Sequence, residues 1–313
     1  MPSTPPFRSA TSRRRFLAGG ACLLAGGLLP AGQAQVAAAT PASSGAERPG
    51  AAGPAQYHAA FEAWVRAHGY DPLMPVEQHV LHATNAERAE ERLLPLAPDE
   101  ELRRIARFYA YRALGNFDHV DAEGRSAFRR VAILHRRHVG EVGENLFQTS
   151  IFDRMDKAEN MHRHRDAAQF AVDCLMDSPG HRRNILHRRW THAGMGVARA
   201  PEGFLLVQLF ARRVALLADP LPVSAEAGTR VPAAAWRLAQ GRVDLVSVAP
   251  PGEARRGAMA DRHAARLPAT PGPVQLRYAV EDGRSRSRID YYLYDGPILE
   301  LTPPAASPAS SAS

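Results

Sequence analysis

The chain has 313 residues, 45% of them hydrophobic and 23% charged, which excludes a wholly disordered chain and leaves room for one large or two modest folded units. Its formal net charge of +7 favours anionic surroundings such as phospholipid headgroups, acidic wall polymers or nucleic acid. The basic residues, all arginine except Lys157, are scattered rather than gathered on a recognition helix, which argues against specific nucleic-acid readout.

Residues 1–34 read as an export signal. Ser12, Arg13 and Arg14 precede Phe16 and Leu17, a Gly/Ala-rich apolar run follows, and small residues end near Ala34. This layout resembles a twin-arginine-type signal peptide. The apolar core, Phe16 to Leu29, is broken by glycines and shorter than the ~18 residues of a stable membrane span, so cleavage is expected and no transmembrane anchor remains in the mature chain. The expected destination is periplasmic or secreted. Cys22 has too short an apolar run before it for a lipoprotein layout, and Cys174 is then the one cysteine of the mature chain, so no internal disulfide is expected.

Residues 35–56 are rich in Ala, Gly, Pro and Ser and read as a flexible linker. From Tyr57 the apolar residues take helical spacing: Phe61, Trp64 and Val65 lie on one side of a short helix closed by Gly69. A second helix starts near Pro75 with Val80, Leu81 and Thr84 on one face, and a third carries Leu102, Ile105, Ala106 and Tyr109 and stops at Gly115. Ala127 to His138 reads as a further helix, and "RHRDAAQFAVDCLMD" as another that ends at Pro179 and Gly180, which free a turn. Two strands joined by a turn at Pro201 to Gly203 come next, the second of them, Phe204 to Phe210, apolar enough to be central.

Beyond Ala218 the texture changes to "RVDLVSVA", "VQLRYAV", "IDYYLY" and "PILEL", with "EDGRS" as a turn candidate. These strands suggest a small β-rich C-terminal domain over residues 219–302, followed by a low-complexity, disordered tail over 303–313. Tyr291, Tyr292 and Tyr294 read as half-buried strand packing, with a carbohydrate-binding face as the other reading.

The motifs between these elements form an ordered series: Asn85, Arg88, Pro95 and Leu96, then His119, then Glu144 and Asn145 in "VGENL", then His181 and Asn184 in "DSPGHRRNIL", then Gly194 and Gly196 in "THAGMGVA". The series resembles the bacterial branch of the CAP superfamily, which includes cysteine-rich secretory, antigen five and pathogenesis-related proteins. The likeness covers a motif region of 76–212 inside a CAP-like domain of 57–212. It implies an α+β fold, a three-layer α-β-α sandwich with a surface cleft. In many such proteins two histidines and two glutamates line that cleft. His119, Glu144 and His181 match the first histidine, first glutamate and second histidine, whereas Ser178 stands where the second glutamate would be.

Two imidazoles and one carboxylate match the three-ligand, open-position pattern of catalytic zinc. His119, Glu144 and His181 are therefore expected either to hold a divalent metal such as zinc or to form a metal-free buried polar network. Asn145 is expected to tie down a loop backbone, and Asn184 to serve as a turn or cap residue. Ser178 reads as a cap or turn group rather than a nucleophile, since no acid is placed to orient His181. Cys174 reads as a small core residue, His135, His138, His162 and His164 as parts of solvated faces, and His192 as strand packing. The sequence thus points to an exported binding module whose cleft, walled by His119, Glu144, His181, Asn145 and Ser178, takes a metal, a small hydrophobic ligand, or a cell-wall-derived glycan or peptide. The alternative is a metal-assisted hydrolase with a water bound at His119, Glu144 and His181.

Overall fold

The computed structural model describes residues 48, 50–69, 73–150, 164–200, 203–252, 260, 265–280 and 291–304, with backbone alone for 23–24, 34–36, 161–163, 281–284 and 289–290. Arg13, Arg14, Cys22, the side chain of His162 and the tail from 305 lie outside the described residues. Two short strands, β1 (Leu23–Leu24) and β2 (Ala34–Val36), come first, and β2 pairs antiparallel with residues 147–149.

Helix α1 (Pro54–Ala67) begins three residues before Tyr57, inside the stretch expected to be linker. The reason is local: Pro at the first helical position has its φ preset and gives up an N–H that would have no partner there. Tyr57, Phe61 and Trp64 then pack edge-on against Phe108 at 5.4 to 5.8 Å between ring centroids. Helix α2 (Met74–Glu90) follows, then the two-residue strand β3 (Ala97–Pro98), then α3 (Glu100–Ala113). The Asp99 side chain caps α3 by accepting from the Leu102 amide at 2.9 Å. Leu102, Ile105, Ala106 and Tyr109 form its buried side, as their spacing predicts.

Helix α4 (Ala127–Leu134) ends four residues earlier than the sequence pattern suggests, and strand β4 (His138–Thr149) begins at the residue where that pattern would end the helix. Arg137 is drawn out of helical conformation because its Nε donates to the Leu217 carbonyl at 2.7 Å while its own carbonyl accepts from the Leu217 amide at 2.9 Å. The segment around "VGENLF" has no helical or alternating pattern, since β4 is buried on both faces. After α5 (Met161–Asp177) the "SPGH" stretch is not a turn but the start of α6 (Pro179–Ile185), again with Pro in the first turn.

Strands β5 (His192–Ala200) and β6 (Gly203–Leu217) form an antiparallel pair, and β6 lies between β5 and β4 with Phe204 to Ala211 fully buried. Each large apolar side chain so buried contributes roughly 1.5–3 kcal/mol. Helices α2, α5 and α6 cover one face through Val80, Ala171, Leu175 and Ile185, packed on Phe147, Phe204, Leu206 and Phe210. Helices α1, α3 and α4 cover the other through Phe61, Ile105, Tyr109 and Ile133, packed on Val142, Leu146, Leu205 and Leu209. This is the expected three-layer α-β-α arrangement. At its edge the buried Glu77 of α2 accepts from Arg107 Nε at 2.6 Å, Arg103 Nη1 at 2.9 Å and the Val197 amide at 3.1 Å, which ties both helical layers to β5.

The C-terminal region is strand-rich: β7 (Ser224–Glu226), β8 (Leu238–Gln240), β9 (Leu245–Ala249), β10 (Gly272–Arg284) and β11 (Ile289–Thr302). The "EDGR" expected to turn is instead the end of β10, and "IDYYLY" and "PILEL" are one strand. Tyr294 is buried, while Tyr291 and Tyr292 are 40% and 54% exposed. The region has its own core around Leu276, Tyr278 and Leu299, but that core also takes in Val139 of β4 and Ala215 and Leu217 of β6. Through the Asp295–Gly140 pairing the sheet runs continuously in the order β3-β5-β6-β4-β11-β10-β9.

Candidate functional site around Glu144

Glu144 lies opposite Leu209 in the β4–β6 ladder. Alternation along β4 sends Val142, Glu144 and Leu146 toward α1, α3 and α4, and Gly143, Asn145 and Phe147 toward α2, α5 and α6. The carboxylate is only 5% exposed and takes two partners: His119 Nδ1 lies 2.9 Å from Oε1, and Arg130 Nη2 donates to Oε2 at 2.5 Å. The answer to what stabilises this acid is therefore a cation on α4 that the sequence reading missed.

His119 is placed by a loop that Asp121 organises, its Oδ1 accepting from the Glu123 amide at 3.1 Å and the Arg125 amide at 2.7 Å. Arg130 clamps this loop to α4, since Nη1 donates to the carbonyls of His119 at 3.1 Å and Arg125 at 2.6 Å. Its guanidinium carbon also stands 3.3 Å from the centre of the Tyr109 ring. Burial by itself would push the Arg130 pKa down, but the Glu144 charge and hydrogen bond together with the neighbouring Tyr109 and Tyr57 outweigh this and raise it. Tyr109 is raised, chiefly by burial. The signal for Arg130 was an arginine inside the apolar stretch "AFRRVAIL", where charge on the inner helix face needs a partner.

Asn145, one residue on, enters a different network on the opposite face. Its Nδ2 donates to Gln208 Oε1 at 3.0 Å and to the His181 carbonyl at 3.3 Å, and its Oδ1 accepts from Asn184 at 3.0 Å. Gln208 passes the chain on to Thr84 Oγ1 at 3.0 Å. Asn145 is thus a strand residue joining β4, β6 and α6 rather than a loop anchor. Asn184 is not a cap: from inside α6 it also donates to the Glu144 carbonyl at 3.1 Å. Gly143 permits this approach, as a Cβ there would lie 2.7 Å from the Trp190 ring and 2.8 Å from Asn184 Oδ1.

His181 is fully buried on α6, and its Nδ1 lies 2.7 Å from Ser178 Oγ. Ser178 does occupy the position before α6, yet its hydroxyl bonds this imidazole and caps no amide. Of the two arrangements expected, the three-ligand centre has no counterpart among the described residues, where no group of three or more His, Cys, Asp or Glu side chains is placed to hold a metal ion. Glu144 spends both oxygens on His119 and a buried guanidinium, whose positive charge opposes a divalent cation there. The donor set does not fit a three-ligand metal. The remaining polar atom, His119 Nε2, is buried and has no hydrogen-bond partner among the described residues. Elsewhere, Cys174 is a buried core residue as expected, whereas His135, His138 and His164 are buried rather than solvated.

The model of the cysteine-rich secretory protein family, CAP, matches residues 81–210. These residues form a CAP domain. The Bacillus subtilis (strain 168) protein YkwD is 29% identical over 122 residues, which is 38% of this chain and 41% of that protein. The chain therefore spans well under half the length of this relative. Among solved structures, an extracellular SCP-domain protein from Bacillus anthracis str. Ames matches at 22% identity and a TM-score of 0.33, over 44% of this chain and 40% of that one. An outer surface protein from Borrelia burgdorferi matches at 18% identity and a TM-score of 0.35, over 45% of this chain and 94% of that one. The CAP domain holds all the motifs named above from His119 to Gly196, and among the described residues no helix is long and apolar enough to cross a membrane.

Proposed function

We propose that this chain is an exported CAP-domain binding module in which Glu144 and Arg130 position His119, whose Nε2 meets the polar group of a ligand. The observation that carries this reading is the engagement of both Glu144 oxygens, by His119 and by Arg130. A carboxylate held this way orients the His119 ring and fixes its tautomer, which suits a binding atom. The buried guanidinium on Oε2 opposes a divalent cation beside this carboxylate, so the hydrolase alternative has less support. Calorimetric titration of zinc into the wild type and His119→Ala tests it. Equal, weak binding by both is expected, and tight stoichiometric binding lost in His119→Ala would restore the metal reading.

Export rests on the arginine pair ahead of the apolar run. Replacing Arg13 and Arg14 by lysine is expected to trap the precursor in the cytoplasm, because a guanidinium pair is not interchangeable with two ammonium groups. Processing of the lysine variant at the wild-type rate would assign the signal to the general secretion route.

A further inference from the structure

On the face remote from Glu144, α2 and α5 enclose a groove of about 540 Å³ lined by His79, His82, Ala83, Arg165 and Gln169. Its lining contains two imidazoles and a guanidinium and no carboxylate. The side chains of His79, His82 and Arg165 make no hydrogen bond or ion pair among the described residues. Most arginines of the CAP domain are by contrast tied to acids or carbonyls, as Arg88, Arg103, Arg107 and Arg130 are. The nearest polar crosslink, Gln169 Nε2 to Asp173 Oδ1 at 2.8 Å, holds that acid on α5 against its own helix. The charged groups facing His79 are His82 on the same helix and His164 and Arg165 on α5; burial first, and then these cations, depress its pKa.

A concave surface whose guanidinium has no counter-charge in its lining is relieved by an anion, and a guanidinium matches the paired oxygens of a phosphate. We propose that this groove binds the phosphate group of an anionic ligand, Arg165 pairing with its oxygens and His79 and His82 donating to them once protonated. The proposal rests on the reading of the chain as an exported binding module but uses none of the residues around Glu144. Because the bound anion favours protonated imidazole and the His79 pKa is depressed, affinity rises as the pH falls below the ordinary histidine value of about 6.5.

The test follows histidine ring signals of the full chain by NMR during titration with dimethyl phosphate, whose single charge is constant across the window. At about pH 5.5, below the ordinary imidazole value, His79 and His82 shift saturably. At about pH 7.5 the affinity is at least fivefold weaker, and Arg165→Gln, an exposed position, loses about tenfold, the loss of one charge-assisted pair. Absent saturation at either pH, or an unchanged affinity in Arg165→Gln, overturns the proposal. Phosphatidylglycerol vesicles and soluble poly(glycerol phosphate) then separate a lipid headgroup from a phosphate-linked polymer, and capture by neither also overturns it. Tight zinc binding at His119 would sink the cleft reading and leave these phosphate shifts in place, so the two failures are distinguishable.

Discussion

Glu144 and Arg130 form a buried ion pair whose members are each too costly to leave single. Glu144→Gln removes the counter-charge from a fully buried guanidinium, and a loss of about 3–5 kcal/mol in denaturant unfolding is expected. Adding Arg130→Met should recover a large part of that loss, because no charge then remains to be solvated. If the double variant is as unstable as the sum of its parts, the pair is not the unit described. Arg88 makes a similar case without an acid. It is fully buried, and it donates to the carbonyls of Leu94 at 3.0 Å, Ile185 at 2.7 Å and His187 at 3.1 Å. Lysine cannot reproduce that fork, so Arg88→Lys is expected to cost about 1.5–3 kcal/mol in the same measurement. At this scale the sequence named His119, Glu144, Asn145, His181 and Asn184, yet not Arg130 or Gln208, which stand outside every motif and are chosen by contact.

Two elements are pressed together where β5 passes under α3. A Cβ on Gly196 would fall 2.0 Å from the Arg107 amide nitrogen, and one on Gly194 would fall 2.2 Å from that of Arg103. Gly196→Ala must therefore push the helix off the sheet, an overpacking expected to cost about 1–3 kcal/mol and to be seen as a lower melting temperature. A second junction, where α4 passes into β4, contains two buried histidines with ring centroids 5.6 Å apart. Burial lowers His135 to about 4, against the opposing charge of Glu101 and with help from Arg137 and Arg136, and lowers His138 to about 3, with His135 and His192 adding to the effect. The sign follows from proton counts. Between about pH 6.5 and these folded values the unfolded chain binds more protons, so stability is present above 6.5 and falls as the pH drops toward 4. The loss is on the order of 3–5 kcal/mol per histidine. Denaturant midpoints measured across this range should decline more gently in His138→Phe than in the wild type. Parallel curves would show that His138 does not titrate with unfolding.

Across the whole molecule, the C-terminal strands and the CAP domain share one sheet and parts of two cores. Ile298 of β11 is packed among the helices α1, α3 and α4. Arg136 donates to the carbonyls of Leu221 at 3.1 Å, Pro222 at 2.6 Å and Ile298 at 2.6 Å as well as to Ile133 at 3.0 Å. A fragment of residues 54–219 keeps the helices and the β4–β6–β5 sheet but removes three of those four acceptors. It is expected to unfold at a lower denaturant concentration than the full chain and with a broader transition, checked by circular dichroism. Equal midpoints would show that the C-terminal region is an appendage. The sequence by itself determined the helices with strong periodicity, the apolar strand β6 and the ordered motif series, because these are written in local spacing and residue type. It did not determine that β4 is a strand, where α4 stops, that His135 and His138 are buried, or which cation balances Glu144. Those features depend on partners far away in the chain, Leu217 for Arg137 and Arg130 for Glu144, and only the packing of both layers on one sheet brings such partners within hydrogen-bond distance.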